Sequence, residues 1–161
     1  MDHPTVDRPR TLGPDDLRAY MAPSRSETHD VRILVVDDEP FVRRVVARLI
    51  QRGGWTPTTA EGGPEALALL RQESIHVVVT DVRMPGMDGP TLVREARRLH
   101  PSLPVLYMTG HMGGGVDPTG LEDPVLEKPF ASGRLYQALE EILGARLAPS
   151  HEVGPRVRPG R

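Results

Sequence analysis

An α/β domain with a doubly wound, five-stranded parallel sheet is what this sequence predicts. Short β-branched runs alternate along the chain with segments whose apolar residues recur at helical spacing. The runs are continuously apolar, as strands covered on both faces are. Proline or glycine stands at most of the junctions between them, where helices start and stop. Strands alternating with helices in this way imply helices on both faces of the sheet and right-handed crossovers.

The elements follow in order. RILVV at 32–36 reads as a buried first strand. Pro40 opens a helix in which Val42, Val45, Val46, Leu49 and Ile50 form the apolar stripe, and Gly53-Gly54 stop it. WTPTTA at 55–60 is a weaker strand whose proline places it at a sheet edge. GGPEALALL starts the second helix, with Pro64 in its first turn. HVVVTDV at 76–82 is the third strand. Pro90 opens a helix carrying Leu92, Val93, Ala96 and Leu99, and Pro101 closes it. VLYMTG at 105–110 and VLE at 125–127 are the fourth and fifth strands. A last helix is expected over about 132–143, with Leu135, Leu139, Ile142 and Leu143 apolar and Gly144 ending it.

Length and composition bound the rest. The chain has 161 residues, 38% hydrophobic and 26% charged, which suits one globular domain with tails. Residues 1–30 are expected to be a disordered leader, although LRAYM at 17–21 could form a helical turn. Residues 31–146 form the domain, and 147–161 a second polar, proline-rich tail. A formal net charge of -2 supplies no basic field for nucleic acid. No apolar run approaches membrane-spanning length, the amino terminus lacks a signal peptide's apolar stretch, and cysteine is absent. These features describe a soluble cytoplasmic protein that meets neither membrane nor nucleic acid.

In a doubly wound sheet, ligands bind beyond the carboxyl ends of the strands. The first strand runs into Asp37, Asp38 and Glu39, the third ends at Asp81, the fourth at Thr109, and the fifth at Lys128. Taken singly, Asp38 could cap a helix and Asp81 a turn. Together on one rim, the carboxylates would repel by about 4 kcal/mol per pair at an effective dielectric near 20, and only a proton or cation offsets that. An open, oxygen-only donor set favours Mg²⁺. Lys128 is the one lysine in the chain, against nineteen arginines. Its compact ammonium suits a phosphoryl oxygen as a point charge, and Thr109 could donate to a second oxygen.

VVDDEP, TDVRMPGMDG, MTG and EKPF, in this order, resemble the receiver domain of bacterial two-component response regulators. The resemblance covers about residues 31–145. It implies the flavodoxin-like strand order 2-1-3-4-5. It also implies Asp81 as phosphoacceptor, and Mg²⁺ held by Asp37, Asp38, Asp81 and the backbone carbonyl of Arg83. Thr109 and Lys128 become the hydroxyl and lysine that bind the phosphoryl group. The Arg83 side chain is expected to influence phosphoryl lifetime, and His111, close to Thr109, is a position to test. The implied partners are a histidine kinase or a histidine phosphotransfer protein, and a downstream protein target. MTG and EKPF are similar to receivers of hybrid sensor kinases. The expectation is a stand-alone, non-enzymatic receiver that acts by protein contact.

Two departures from that pattern stand out. Val125 occupies the position, three before the lysine, where the family carries Tyr or Phe, and Tyr107 is a candidate substitute. Residues 110–124, GHMGGGVDPTGLEDP, hold five glycines and two prolines, so the helix between the fourth and fifth strands is expected to be missing or reduced to a turn. A receiver fold that signals without phosphorylation is the alternative these departures favour. A hydrolase is disfavoured, since no separate general base can be named.

Overall fold

The structure, a computed structural model, describes residues 31–110 and 120–147. Five strands, β1 (Arg32–Val36), β2 (Thr56–Ala60), β3 (Val77–Asp81), β4 (Val105–Thr109) and β5 (Val125–Glu127), form one parallel sheet in the order β2-β1-β3-β4-β5. Among the described residues there are four helices: α1 (Pro40–Arg52), α2 (Gly63–Gln72), α3 (Gly89–Leu99) and α4 (Ser132–Leu147). The expected fold class and strand order are those observed. The segment expected to lack a helix between β4 and β5 falls largely on 111–119, outside the described residues, as do the leader at 1–30 and all of the carboxyl-terminal tail beyond Leu147.

Strand geometry sends successive side chains to opposite faces, and two cores result. Ile33, Val35, Val77, Val79, Leu106 and Met108 pack under α1 and α4. Leu34, Val36, Val78, Val105 and Tyr107 pack under α2 and α3. The central strands are therefore covered on both sides, which is why they read as unbroken apolar runs.

β2 lies at the edge, where its proline is tolerated. The Thr56 N–H donates to the Val31 carbonyl (2.9 Å) and the Ala60 carbonyl accepts from Asp37 N–H (3.3 Å), so the even-numbered residues of β2 bond towards β1. Pro57 falls at an outward position, where no ladder bond is lost.

Two expectations are corrected. α4 continues through Gly144 to Leu147. A single glycine costs a helix only about 1 kcal/mol, too little to end it by itself. Val45 is 42% exposed, and Phe41, its neighbour one turn earlier, is 66% exposed. Val42, Val46, Leu49 and Ile50 centre the buried arc of α1; Val45 lies about 100° from Val46, at the arc's margin.

Glycine is required where α3 meets the end of β3. A Cβ on Gly89 would collide with the backbone carbonyl of Asp81, while the Gly89 N–H donates to the Val82 carbonyl at 2.9 Å. On Gly63 its nearest neighbours would be Met87 side-chain atoms, whose outer part can rotate away. Gly89→Ala is expected to destabilise the domain by about 1–3 kcal/mol, as overpacking against backbone does. Gly63→Ala should cost less, and urea unfolding of the two variants checks the order.

Candidate functional site

The chain leaves β1 at Asp37 and turns at once into α1. The Asp37 carboxylate is held by that turn: its Oδ1 accepts the Glu39 N–H at 2.9 Å. Arg43, one turn into α1, reaches back to the Asp37 carbonyl (2.7 Å) and also pairs with Glu61 (3.3 Å). These bonds hold a carboxylate that is only 1% exposed. Arg43 escaped sequence reasoning; its signal was an arginine six residues beyond the acid, on the helix side next to β2.

Asp81 ends β3 one strand away. The loop after it, MPGMDG, turns tightly at Gly86 (φ 78°), with the Met87 N–H donating to the Pro85 carbonyl at 2.9 Å. Asp88 then caps α3 by accepting the Thr91 N–H at 2.8 Å. Asp37, Asp38 and Asp81 each offer an oxygen, and these oxygens lie within 4.8 Å of one another. Asp38 is the exposed member, so the cluster is open to solvent on one side.

Lys128 closes the cluster from the far side of the sheet. Its N–H donates to the Thr109 carbonyl at 2.7 Å, which continues the β4–β5 ladder by one residue. From there its Nζ reaches Asp37 Oδ2 at 3.2 Å and Asp81 Oδ2 at 3.5 Å. The lone ammonium thus sits between two buried carboxylates ninety-one and forty-seven positions away in the sequence. Three carboxylates and one ammonium leave a formal charge of -2. The donors are all oxygen, and the set is open at Asp38; both properties fit a hard divalent ion such as Mg²⁺ that keeps several waters.

Burial pushes the Asp81 carboxyl above its ordinary pKa. Lys128 counters this, the Asp37 charge adds to it, and the Arg83 backbone N–H and a Lys128 hydrogen bond pull it back. The Arg83 side chain is exposed at the rim. The Thr109 hydroxyl donates to the Gly110 carbonyl at 3.1 Å, so it lies on the rim but is turned to its own backbone. His111 lies outside the described residues.

Val125, partly buried, faces Tyr107 across the β4–β5 register. The Tyr107 ring is buried, and burial, followed by the Asp123 charge, pushes its hydroxyl up to about 12, with Arg97 opposing. Arg97 of α3 grips Asp123 with two hydrogen bonds of 2.6 and 2.9 Å and so ties α3 to the segment leading into β5.

Because folding raises the Asp81 pKa, ionising this carboxyl opposes the fold. The penalty is absent below the unfolded value of 3.8 and is complete above the folded value. In buffer free of divalent cations, Asp81→Asn is therefore expected to melt higher than the parent at pH 7, with the gap closing as pH falls to about 3.8. A lower melting point at pH 7 would mean that the Lys128 pair outweighs burial.

Residues 33–140 match the family model described as the response regulator receiver domain. Over 79 residues the chain is 44% identical to the DNA-binding transcriptional regulator NtrC of Salmonella typhimurium, covering 49% of this chain and 17% of that protein. It is 35% identical over 116 residues to the sensor kinase CckA of Brucella abortus, covering 69% of this chain and 12% of that protein. The chain thus spans less than a fifth of either relative's length. Among solved structures, a response regulator receiver protein from Sinorhizobium medicae superposes with a TM-score of 0.65 at 32% identity, over 72% of this chain and 96% of that one. The receiver domain of the hybrid histidine kinase CckA gives 0.59 at 33% identity, over 70% of this chain and 98% of that one. The family match runs from β1 into α4 and takes in every strand end described above, and the chain belongs to the response regulator receiver domain family of two-component signalling.

Proposed function

We propose that this chain is a cytoplasmic receiver that takes a phosphoryl group onto Asp81 from a phosphohistidine of a histidine kinase or histidine phosphotransfer protein. The observation that carries this is the Lys128 ammonium, 3.2 and 3.5 Å from Asp37 and Asp81 beside an open three-carboxylate cluster. Asp37, Asp38, Asp81 and the Arg83 carbonyl are the proposed Mg²⁺ ligands. Bound there, Mg²⁺ would neutralise charge on the transferring phosphoryl oxygens.

The protein's own groups do the rest. An Asp81 oxygen attacks phosphorus in line, the P–N bond to the donor imidazole breaks as the P–O bond forms, and the imidazole takes up a proton. Lys128 stays in place as a point charge for an equatorial oxygen. The Thr109 hydroxyl, released from the Gly110 carbonyl by a side-chain rotation, would donate to another. Water later cleaves the same P–O bond and returns the Asp81 carboxylate and inorganic phosphate, with Arg83 flanking its approach and His111 a position to test.

A surface beside the site suits such a donor. A groove of about 430 Å³ runs from Lys128 between α1 and the β5–α4 connection, lined by Phe41, Val42, Val45, Leu49 and Phe130. Its apolar floor fits a helix that presents a histidine at the site end. Signalling would then pass by protein contact to a downstream target. Val125, which lacks an aromatic ring, is the observation favouring the other reading, a receiver fold that signals without phosphorylation.

Incubation with a small-molecule phosphodonor and Mg²⁺, followed by intact mass, separates the two. One added phosphoryl mass that needs Mg²⁺ and is absent from Asp81→Asn is the expected result; no added mass leaves the phosphorylation-independent module. Lys128→Arg should lose most of the phosphorylation-dependent change in amide exchange around β4 and β5, because a planar fork does not replace a point charge. A full change in that variant would remove the explanation for the single lysine.

A further inference from the structure

α1 carries Arg43, Arg44, Arg48 and Arg52 and no acidic residue, in a chain whose net charge is -2. Arg43 is engaged by the Asp37 carbonyl and Glu61. Arg44, Arg48 and Arg52 are exposed at i, i+4 and i+8, and among the described residues none of them pairs with a carboxylate. That spacing makes one ridge along the helix, with charges about 6 Å apart. Beside it runs the exposed apolar pair Phe41 and Val45. Between α1 and the edge strand β2 these residues wall a groove of about 550 Å³, lined by Phe41, Arg44, Val45, Arg48, Pro57 and Thr59. It lies on the other flank of Phe41 and Val45 from the groove that leads to Lys128. Pro57 removes an outward backbone donor from this edge, so strand addition is disfavoured and an occupant must bind through side chains.

We propose that residues 14–21 of this same chain, PDDLRAYM, occupy the groove. Leu17, Tyr20 and Met21 recur at i, i+3 and i+4, the spacing of one apolar face, and Asp15 and Asp16 stand just ahead of them. The apolar set matches Phe41, Val45 and Pro57, and the two aspartates match the unpaired arginines. The point of attachment agrees. The chain enters the described fold at Val31, whose carbonyl bonds Thr56, the first residue of the strand that walls the groove. The residues between Met21 and Val31 span about 30 Å when extended. α1 is about 20 Å long, so every point of the groove is within reach. A tether of this length gives an effective concentration in the millimolar range, so a contact of only millimolar affinity is populated. Phe41 and Val45 line both grooves, so a seated leader would cover part of the face proposed for the phosphodonor. That regulatory consequence rests on the proposed phosphotransfer; the docking itself does not.

The absence of cysteine makes disulfide trapping in the full chain a clean test. Leu17→Cys is combined with Gln51→Cys or Thr59→Cys in the groove, or with Arg98→Cys on the opposite face of the sheet, under mild oxidation. Intramolecular crosslinking of the groove pairs should exceed the Arg98→Cys control by about tenfold at the same tether length. Adding Arg44→Glu and Arg48→Glu should abolish the excess, and Asp15→Arg with Asp16→Arg should restore it, which a misfolded variant could not do. Equal yields for all three pairs, or a crosslink only between two copies, would overturn the proposal. Neither Mg²⁺ nor a phosphodonor is present, so the result is independent of whether Asp81 accepts a phosphoryl group.

Discussion

Two carboxylates, Asp37 and Asp81, are drawn together at the carboxyl end of the sheet by the ammonium of Lys128, and the arrangement of the rim depends on that contact. Each acid is buried, and each would destabilise the fold if left alone with the other. Burial alone raises the Asp81 pKa, and Asp37 raises it further. Lys128 offsets part of this and leaves a residual negative charge, which suits a cluster that could hold a cation. A guanidinium would bind two carboxylates as a fork and satisfy them more completely. An ammonium leaves capacity over, in keeping with the phosphoryl-binding role proposed for Lys128.

The surrounding packing exists to hold those three side chains at that separation. β1 and β3 are neighbours in the sheet, so Asp37 and Asp81 emerge about one strand spacing apart. Lys128 must cross β4 to reach them, and the Lys128 N–H to Thr109 carbonyl bond extends the ladder far enough to aim it. Arg43 and the Glu39 N–H hold the Asp37 turn, while Gly89 lets α3 start against the Asp81 carbonyl. The site is thus fixed by backbone ladders, one close helix approach and the short β1–α1 turn that holds Asp37.

The two sheet edges are treated differently. On the β5 side, the Arg97–Asp123 pair fastens the segment entering β5 to α3, above the buried ring of Tyr107. On the β2 side, α1 leaves apolar and basic groups facing solvent together. A helix that packs one face on the core and presents an arginine ridge on the other can serve as scaffold and contact surface at once.

The strands, their parallel pairing and the rim on which Asp37, Asp38, Asp81 and Lys128 fall were legible in the sequence, because buried strands and helical stripes are periodic and local in origin. The rim rule then placed residues far apart in sequence on one side without coordinates. What the periodicity could not decide was contact. Val45 belonged to the stripe by count, yet lies exposed, since a margin position is settled by what packs beside it. Gly144 looked like a stop, but helix propensity is a weak bias and one glycine does not end a helix. Arg43 reaching the Asp37 carbonyl, Gly89 against Asp81, and Tyr107 facing Val125 are pairings between elements, and only tertiary packing sets which atoms meet.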